Sequence, residues 1–204
     1  MSTLTARALA LLALLALISA HAQDQVVQRY QGTGLQNLRP FTVEDNWEVR
    51  WNARGDLFSL YLHDAEGNML DVSANQMGSG SGATFVPQAG TYYFQVNALG
   101  AWDLEIAQVN PASFPVITSQ GREYTGNGAR GIRPFITEGP WEVTWNARGD
   151  FFSLYLFGVR GNMLAVGANQ MGPGTGSSYN PRAGQYYYFV NALGPWSIRI
   201  TSID

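Results

Sequence analysis

The sequence predicts an all-β protein: two tandem antiparallel β-sandwiches of jelly-roll type, produced by an internal duplication. Three observations carry this. The chain repeats itself at an offset of 94 residues, and aligning 30–109 with 124–203 leaves 45 of 80 positions identical without a gap. Within each copy the apolar residues alternate with a period of two, not 3.6. Gly, Asn and Pro interrupt these runs every few residues, as turns between short strands require.

An export leader comes first. Residues 1–7 contain one Arg, an unbroken apolar run extends from Ala8 to Ile18, and Ala20-His21-Ala22 offers the small-x-small pattern of a cleavage site. Cleavage is expected after Ala22. The remaining chain then starts at Gln23 without a membrane span, because the apolar run is shorter than a bilayer requires. The expected destination is the periplasm or the medium. The sequence contains no Cys, which excludes a lipid-modified cysteine and any disulfide. Stability must then come from packed cores, which units of about 90 residues can supply.

The repeat divides the chain into a leader over 1–22, a first sandwich over 23–109, a linker over 110–115 and a second sandwich over 116–204. The linker, Asn110-Pro-Ala-Ser-Phe-Pro115, carries two prolines and reads as a short, stiff spacer. Charge differs between the halves. Residues 23–110 hold 4 Arg and 10 acidic residues (4 − 10 = −6), and residues 111–204 hold 7 Arg and 5 acidic residues (7 − 5 = +2). Opposite signs favour head-to-tail contact within or between molecules, and a homo-oligomer of that kind is one expectation. Neither half is basic enough for nucleic acid.

The matched segments run in order through both copies. Tyr30-Gln-Gly-Thr-Gly34 returns as Tyr124-Thr-Gly-Asn-Gly128, and Trp47-Glu-Val-Arg-Trp-Asn-Ala-Arg-Gly-Asp56 returns as Trp141-Glu-Val-Thr-Trp-Asn-Ala-Arg-Gly-Asp150. Asn75-Gln-Met-Gly78 and Asn97-Ala-Leu-Gly100 return at 169–172 and 191–194. In the first strand Trp47, Val49 and Trp51 share one face, and Glu48 and Arg50 share the other, where solvated charges are expected. In the next, Phe58, Leu60 and Leu62 alternate with Ser59 and Tyr61. Tyr92, Phe94 and Val96 alternate with Tyr93 and Gln95, and Trp102, Leu104 and Ile106 alternate with Asp103 and Glu105. About eight short strands per copy result, with no helix. One-sided strands of this kind pack as two sheets around a shared core.

The segments Gly55-Asp-Leu-Phe-Ser-Leu-Tyr-Leu62, Ala89-Gly-Thr-Tyr-Tyr-Phe-Gln-Val96 and Trp102-Asp-Leu-Glu-Ile106 resemble the closing strands of bacterial pre-peptidase C-terminal domains. The resemblance covers about half of each copy. It implies a secreted β-sandwich of the sort appended to exported hydrolases as a binding or accessory module. The chain departs from that family in carrying Asp56-Leu-Phe-Ser59 and Asp150-Phe-Phe-Ser153 in place of its Asp-x-Asp-Leu pattern.

Catalytic apparatus is scarce. His63 is the one histidine beyond the leader, and its counterpart is Phe157. A Ser-His-Asp or Cys-His site and the usual zinc and copper sites are therefore not expected. Glu44, Glu48 and Asp56, with Glu138, Glu142 and Asp150, are the carboxylates that could pair for glycosidase work. Calcium is the metal the sequence could accept, through Asp56 and Asp150 with the side-chain carbonyls of Asn52 and Asn146; a structural turn explains the same residues. Gly126-Asn-Gly-Ala-Arg-Gly131 matches a dinucleotide pattern, but no helix follows to aim its N-terminus at phosphate. Arg54-Gly-Asp56 and Arg148-Gly-Asp150 are expected at hairpin tips, where Gly permits positive φ.

The pattern places Tyr61, Tyr93, Tyr155, Tyr187 and Phe189 outward, as flat rings suited to polysaccharide or to a protein surface, or to pairing across strands. Asn75, Gln76, Asn169 and Gln170 precede Gly-rich loops, where their amides could meet a ligand or satisfy the loop backbone. No organic cofactor is implied. The expected function is an exported, non-enzymatic binding or accessory module for carbohydrate or an envelope or extracellular protein. The alternative is a self-assembling surface or matrix protein, built through exposed sandwich edges.

Overall fold

A computed structural model describes residues 24–203; the leader and its cleavage site lie outside the described residues. The first copy forms β1 (Gln25–Thr33), β2 (Gln36–Asn37), β3 (Phe41–Val43), β4 (Trp47–Asp64), β5 (Met69–Met77), β6 (Gly80–Val86) and β7 (Gly90–Gln108). A single 3-10 turn, Pro111–Ser113, precedes the second copy. That copy forms β8 (Arg122–Asn127), β9 (Arg130–Thr137), β10 (Trp141–Ala147), β11 (Phe151–Gly158), β12 (Met163–Met171), β13 (Gly174–Asn180), β14 (Gly184–Leu193) and β15 (Pro195–Ser202). No α-helix occurs among the described residues, and none of their helices is long and apolar enough to cross a membrane.

Ladders between the strands are antiparallel, and each copy is a two-layered sandwich. In the first, one layer runs β6, the first half of β4, the second half of β7, then β1. The other runs β5, the second half of β4 and the first half of β7, with β2 and β3 beyond. The second copy repeats these layers as β13-β10-β15-β8 and β12-β11-β14-β9. The first copy does not divide into eight short strands as expected. Its β4 and β7, 18 and 19 residues long, pass unbroken from one layer into the other.

That passage explains the repeated Arg-Gly-Asp. A Cβ at Gly55 would lie 1.8 Å from the carbonyl oxygen of Leu99, and one at Gly149 would lie 1.7 Å from that of Leu193. Arg54-Gly-Asp56 is therefore not a hairpin tip: it lies within β4, and Arg148-Gly-Asp150 lies at the bend between β10 and β11. Glycine is required because two backbones meet, not for a positive φ, which neither Gly55 nor Gly149 adopts.

The alternating apolar residues fill two cores. Trp47, Val49, Phe58, Leu60, Phe94, Val96 and Ile106 are fully buried in the first, and Trp141, Val143, Phe152, Leu154, Val190 and Ile200 in the second. Each such side chain contributes about 1.5–3 kcal/mol through burial. Phe41, Trp47, Tyr92 and Phe94 pack ring to ring, as do Phe135, Trp141, Tyr186 and Tyr188. The indole N–H of Trp47 donates to the Gln88 carbonyl at 2.9 Å, and that of Trp141 to the Arg182 carbonyl at 3.2 Å.

A third cluster lies between the copies: Phe85 of β6, Val109, Phe114 and Tyr187 of β14, flanked by Ile136, Phe157 and Val159. Phe114 belongs to the segment expected to be a spacer, so that segment is packed into the junction. Beside it Ala83 pairs with Gly131, joining β6 to β9 and making one sheet continuous through both copies. Ala129 N–H donates to Asn75 O at 2.9 Å, and Arg130 Nη1 to Ser81 O at 3.2 Å.

Charges secure the same junction. Asp24 accepts from Arg133 at 2.6 Å and from Arg50 of β4. Burial by itself raises the Asp24 pKa. The hydrogen bond and charge of Arg133, the Asn110 N–H and the charge of Arg50 more than offset this and hold the carboxyl below the usual carboxylate range. Glu48 corrects the expectation of a solvated charge: it is 2% exposed, with Oε1 bound by Arg50 Nε at 2.6 Å. At Glu48 the polar side of β4 is closed over by Arg50, whereas Asn52 and Arg54 on the same side stay exposed.

Candidate binding groove between the repeats

Strand pairing sets Phe157 of β11 opposite Tyr187 of β14, where their rings stack at 5.0 Å and 11°. Phe85 from the first copy meets the Tyr187 ring edge-on at 5.2 Å and 65°. Tyr187, expected to face solvent, is therefore only 8% exposed. Its neighbours Ile136, Phe157 and Val159 make an apolar face whose burial is favourable. The corresponding pair in the first copy, His63 and Tyr93, stacks in the same way at 4.8 Å and 11° but stays half-buried.

Beside this contact the two copies enclose a groove of about 460 Å³, walled by Leu70, Phe85, Phe157, Tyr187 and Phe189 and holding the Asp71 side chain. Asp71 is exposed where it borders the groove. The walls nevertheless remove enough water to raise its pKa above the usual carboxylate value, against the opposing pull of the Val72 N–H. The Tyr187 phenol is pushed up to about 12, first by burial and then by the Asp71 charge. At neutral pH the groove thus presents a neutral phenol and an exposed carboxyl beside apolar rings. It can accept hydrogen bonds from hydroxyl or amide groups and cover an apolar face.

A wider, more open hollow of about 730 Å³ lies on the outer face of the first copy, lined by Arg29, Arg50, Asp103 and Glu105. Its charges are occupied with one another: Arg29–Glu105 at 2.7 Å, Arg50–Glu105 at 2.8 Å and Arg54–Asp103 at 2.6 Å. Its counterpart in the second copy shrinks to about 230 Å³. The inter-repeat groove is the better candidate because its one carboxyl has no such cation.

Asp71 is not a repeated residue, and repetition is what marks most of the candidate residues in the sequence. The available signal was the opposite one, since Asp71 corresponds to Ala165, a charge in one copy and a methyl in the other. Phe189, read as outward, lines the groove. Tyr61 and Tyr155 lie half-buried in the middle of the outward faces, Tyr61 between Val72 and Gln95 and Tyr155 between Val166 and Phe189. The amides serve the fold. Gln76 is 3% exposed and donates to Met77 O at 2.8 Å, and Gln170 donates likewise to Met171 O at 2.8 Å. Asn75 and Asn169 accept from Ser59 and Ser153 at 3.2 and 3.1 Å.

Asp56 and Asp150 are exposed, and their backbone carbonyls accept the N–H of Gly78 and Gly172 at 2.9 and 2.8 Å. Asn52 turns to Asp103 at 3.4 Å. Among the described residues no three His, Asp or Glu side chains gather as a metal site. Glu44 and Glu138 are exposed and Glu142 half-buried. Gly126 to Gly131 spans the turn from β8 to β9, so strand follows strand there. The His63 Nδ1 lies 3.4 Å from Gly67 O, and its buried Nε2 meets no hydrogen-bonding partner.

No protein-family profile matches the sequence, and no curated protein matches it. Among solved structures, the PBSX exported protein XepA shares 10% identity over 88% of this chain and 86% of its own, at a TM-score of 0.30. The M60 catalytic domain with its CBM51-1 and CBM51-2 domains from Clostridium perfringens ZmpB shares 6% over 90% and 39%, at 0.29. Bacillus subtilis oxalate decarboxylase shares 12% over 91% and 76%, at 0.22. Likenesses this faint carry no argument about what the chain does.

Proposed function

We propose that the chain is an exported, non-enzymatic binding module whose inter-repeat groove takes a carbohydrate, a ligand with an apolar ring face and hydroxyl edges. One observation carries the reading. Asp71, exposed and with no cation partner, lines the groove together with Phe85, Phe157, Tyr187 and Phe189, whose walls raise its pKa. A lone carboxyl beside a wall of aromatic rings is the kind of polar anchor with which a largely apolar pocket orients its ligand. Its oxygens accept from sugar hydroxyls, the Tyr187 phenol donates or accepts, and the rings cover the sugar face. A concave groove of this size favours a small ligand over a flat protein surface. The leader over 1–22 supports export. A single histidine beyond the leader and the lack of Cys support binding over turnover.

Titrating the purified protein with pools of envelope and plant-type oligosaccharides, read by calorimetry, tests this. Uptake of at least one pool is expected, with Asp71→Asn weakening it at least tenfold, about 1.4 kcal/mol, while the melting temperature holds or rises. No uptake from any pool, or uptake that Asp71→Asn leaves unchanged, overturns the reading.

A further inference from the structure

We propose that a second copy of this chain docks head-to-tail on the first, the free edge of β13 in one molecule pairing with the free edge of β2 in the next. The internal junction is the template. It joins unlike surfaces, the β6 edge of the first copy and the β9 edge of the second. When two similar units meet through unlike surfaces, one example of each surface is left over, and a further unit placed by the same rotation uses both. The surfaces left over here are β13, which corresponds to β6, and β2, which corresponds to the start of β9. β13 is outermost in its sheet and β2 pairs with β7 alone. The N–H and C=O groups along such edges are open to another strand.

The groups that make the internal junction recur on the free faces. Thr84 Oγ1 accepts the Gly131 N–H at 3.2 Å while donating to Ser73 O. Ser178 stands in its place, donates to Gly167 O at 2.6 Å, and keeps a lone pair for the same use. Tyr179 stands in the place of Phe85 and is 60% exposed. Tyr93, with His63 stacked on it, reproduces the Tyr187–Phe157 stack that Phe85 abuts. Leu35, 63% exposed, takes the place of Ala129 opposite Asn169.

Charge complementarity selects the partner. Across the internal junction Gln88 donates to the Arg160 carbonyl at 3.3 Å. The corresponding residues on the free faces are Arg182 and Glu66, both exposed. A neutral contact within the molecule becomes an opposite-charge contact between molecules, in keeping with the sign difference between the halves. The free faces lack the Asp24–Arg133 pair, and Asn180 replaces Val86. Contact between molecules is therefore reversible, weaker than the internal junction, and sensitive to salt.

Sedimentation of the purified protein over a concentration series, in low salt and in about 0.5 M salt, tests the arrangement. Mass should rise with concentration in low salt and fall back towards monomer in high salt. Arg182→Glu alone and Glu66→Arg alone should each stay monomeric, and the double variant should regain association, which also shows that the single changes left the fold intact. Asp71→Asn should associate like the parent, separating this surface from the groove. A parent that stays monomeric throughout, single variants that associate as the parent does, or a double variant that does not recover would each overturn the proposal.

Discussion

Two stacked ring pairs occupy corresponding positions in this molecule and meet different fates. His63 and Tyr93 lie at 4.8 Å and 11° on a face open to solvent, whereas Phe157 and Tyr187 lie at 5.0 Å and 11° beneath Phe85. Backbone, register and ring geometry match, so the difference is one of surroundings. Ile136 and Val159 flank the covered stack, and the residues at the corresponding positions of the first copy are Thr42 and Ala65. The pairing surface obeys the same logic, with Phe85 buried and its counterpart Tyr179 exposed. Where two copies of a unit diverge, the divergence therefore maps the surface each turns to its neighbour and the surface each leaves free.

The largest effect that would break this comparison is at Phe85. Phe85→Ala removes a ring held by Phe114 and Tyr187 and should cost about 3 kcal/mol or more, and calorimetry should then resolve separate melting of the two copies. Tyr179→Ala, at the corresponding exposed position, should change stability by less than about 0.5 kcal/mol. Equal losses at the two positions would mean that the junction is not what distinguishes them.

A smaller effect, of about 2 kcal/mol, is expected at alkaline pH. The Tyr187 phenol titrates near 12 in the folded protein against 10.0 for the free side chain. Between those values the unfolded chain releases a proton that the folded chain retains. Stability present below pH 10 is therefore lost as the pH rises through 12, and Tyr187→Phe should flatten that part of the melting curve.

Smallest is the acid limb. Asp24, held below the usual carboxylate range, contributes stability above its unfolded pKa of about 3.8 that disappears as pH falls through the lower folded value. Asp24→Asn should lower stability at neutral pH by about 1 kcal/mol and reduce the loss on acidification, as chemical denaturation at pH 7 and pH 3 would reveal.

Much of this architecture was legible beforehand, and particular residues show why. Trp47, Val49, Phe58, Leu60 and Leu62 alternate in sequence and are buried as the alternation demands, because period two is a property of the extended backbone itself. The same rule misjudged Glu48, since it names a face without saying what covers it. Arg50, Asp24 and Glu105 do that, and two of the three are distant in the chain. Gly55 was visible as a special position, but its reason, the carbonyl of Leu99 at the crossing of β4 and β7, depends on a partner some forty residues away. Asp71 gave no sign in the strand alternation, and its mismatch with Ala165 gains meaning from its place beside Tyr187, at the meeting of two copies.

The sequence by itself determined the all-β class, the two layers of each copy and the side chains that fill each core, because these rest on alternation along the extended backbone, while the unbroken lengths of β4 and β7 did not follow from it. The tertiary structure alone decided which outward faces meet. That choice depends on how the second copy is rotated against the first, and so on Phe85, Phe114, Tyr187 and Asp24 arriving together from four separate stretches of chain. Short-range pattern has no access to that rotation, and the groove, the buried tyrosine and the two free edges all follow from it.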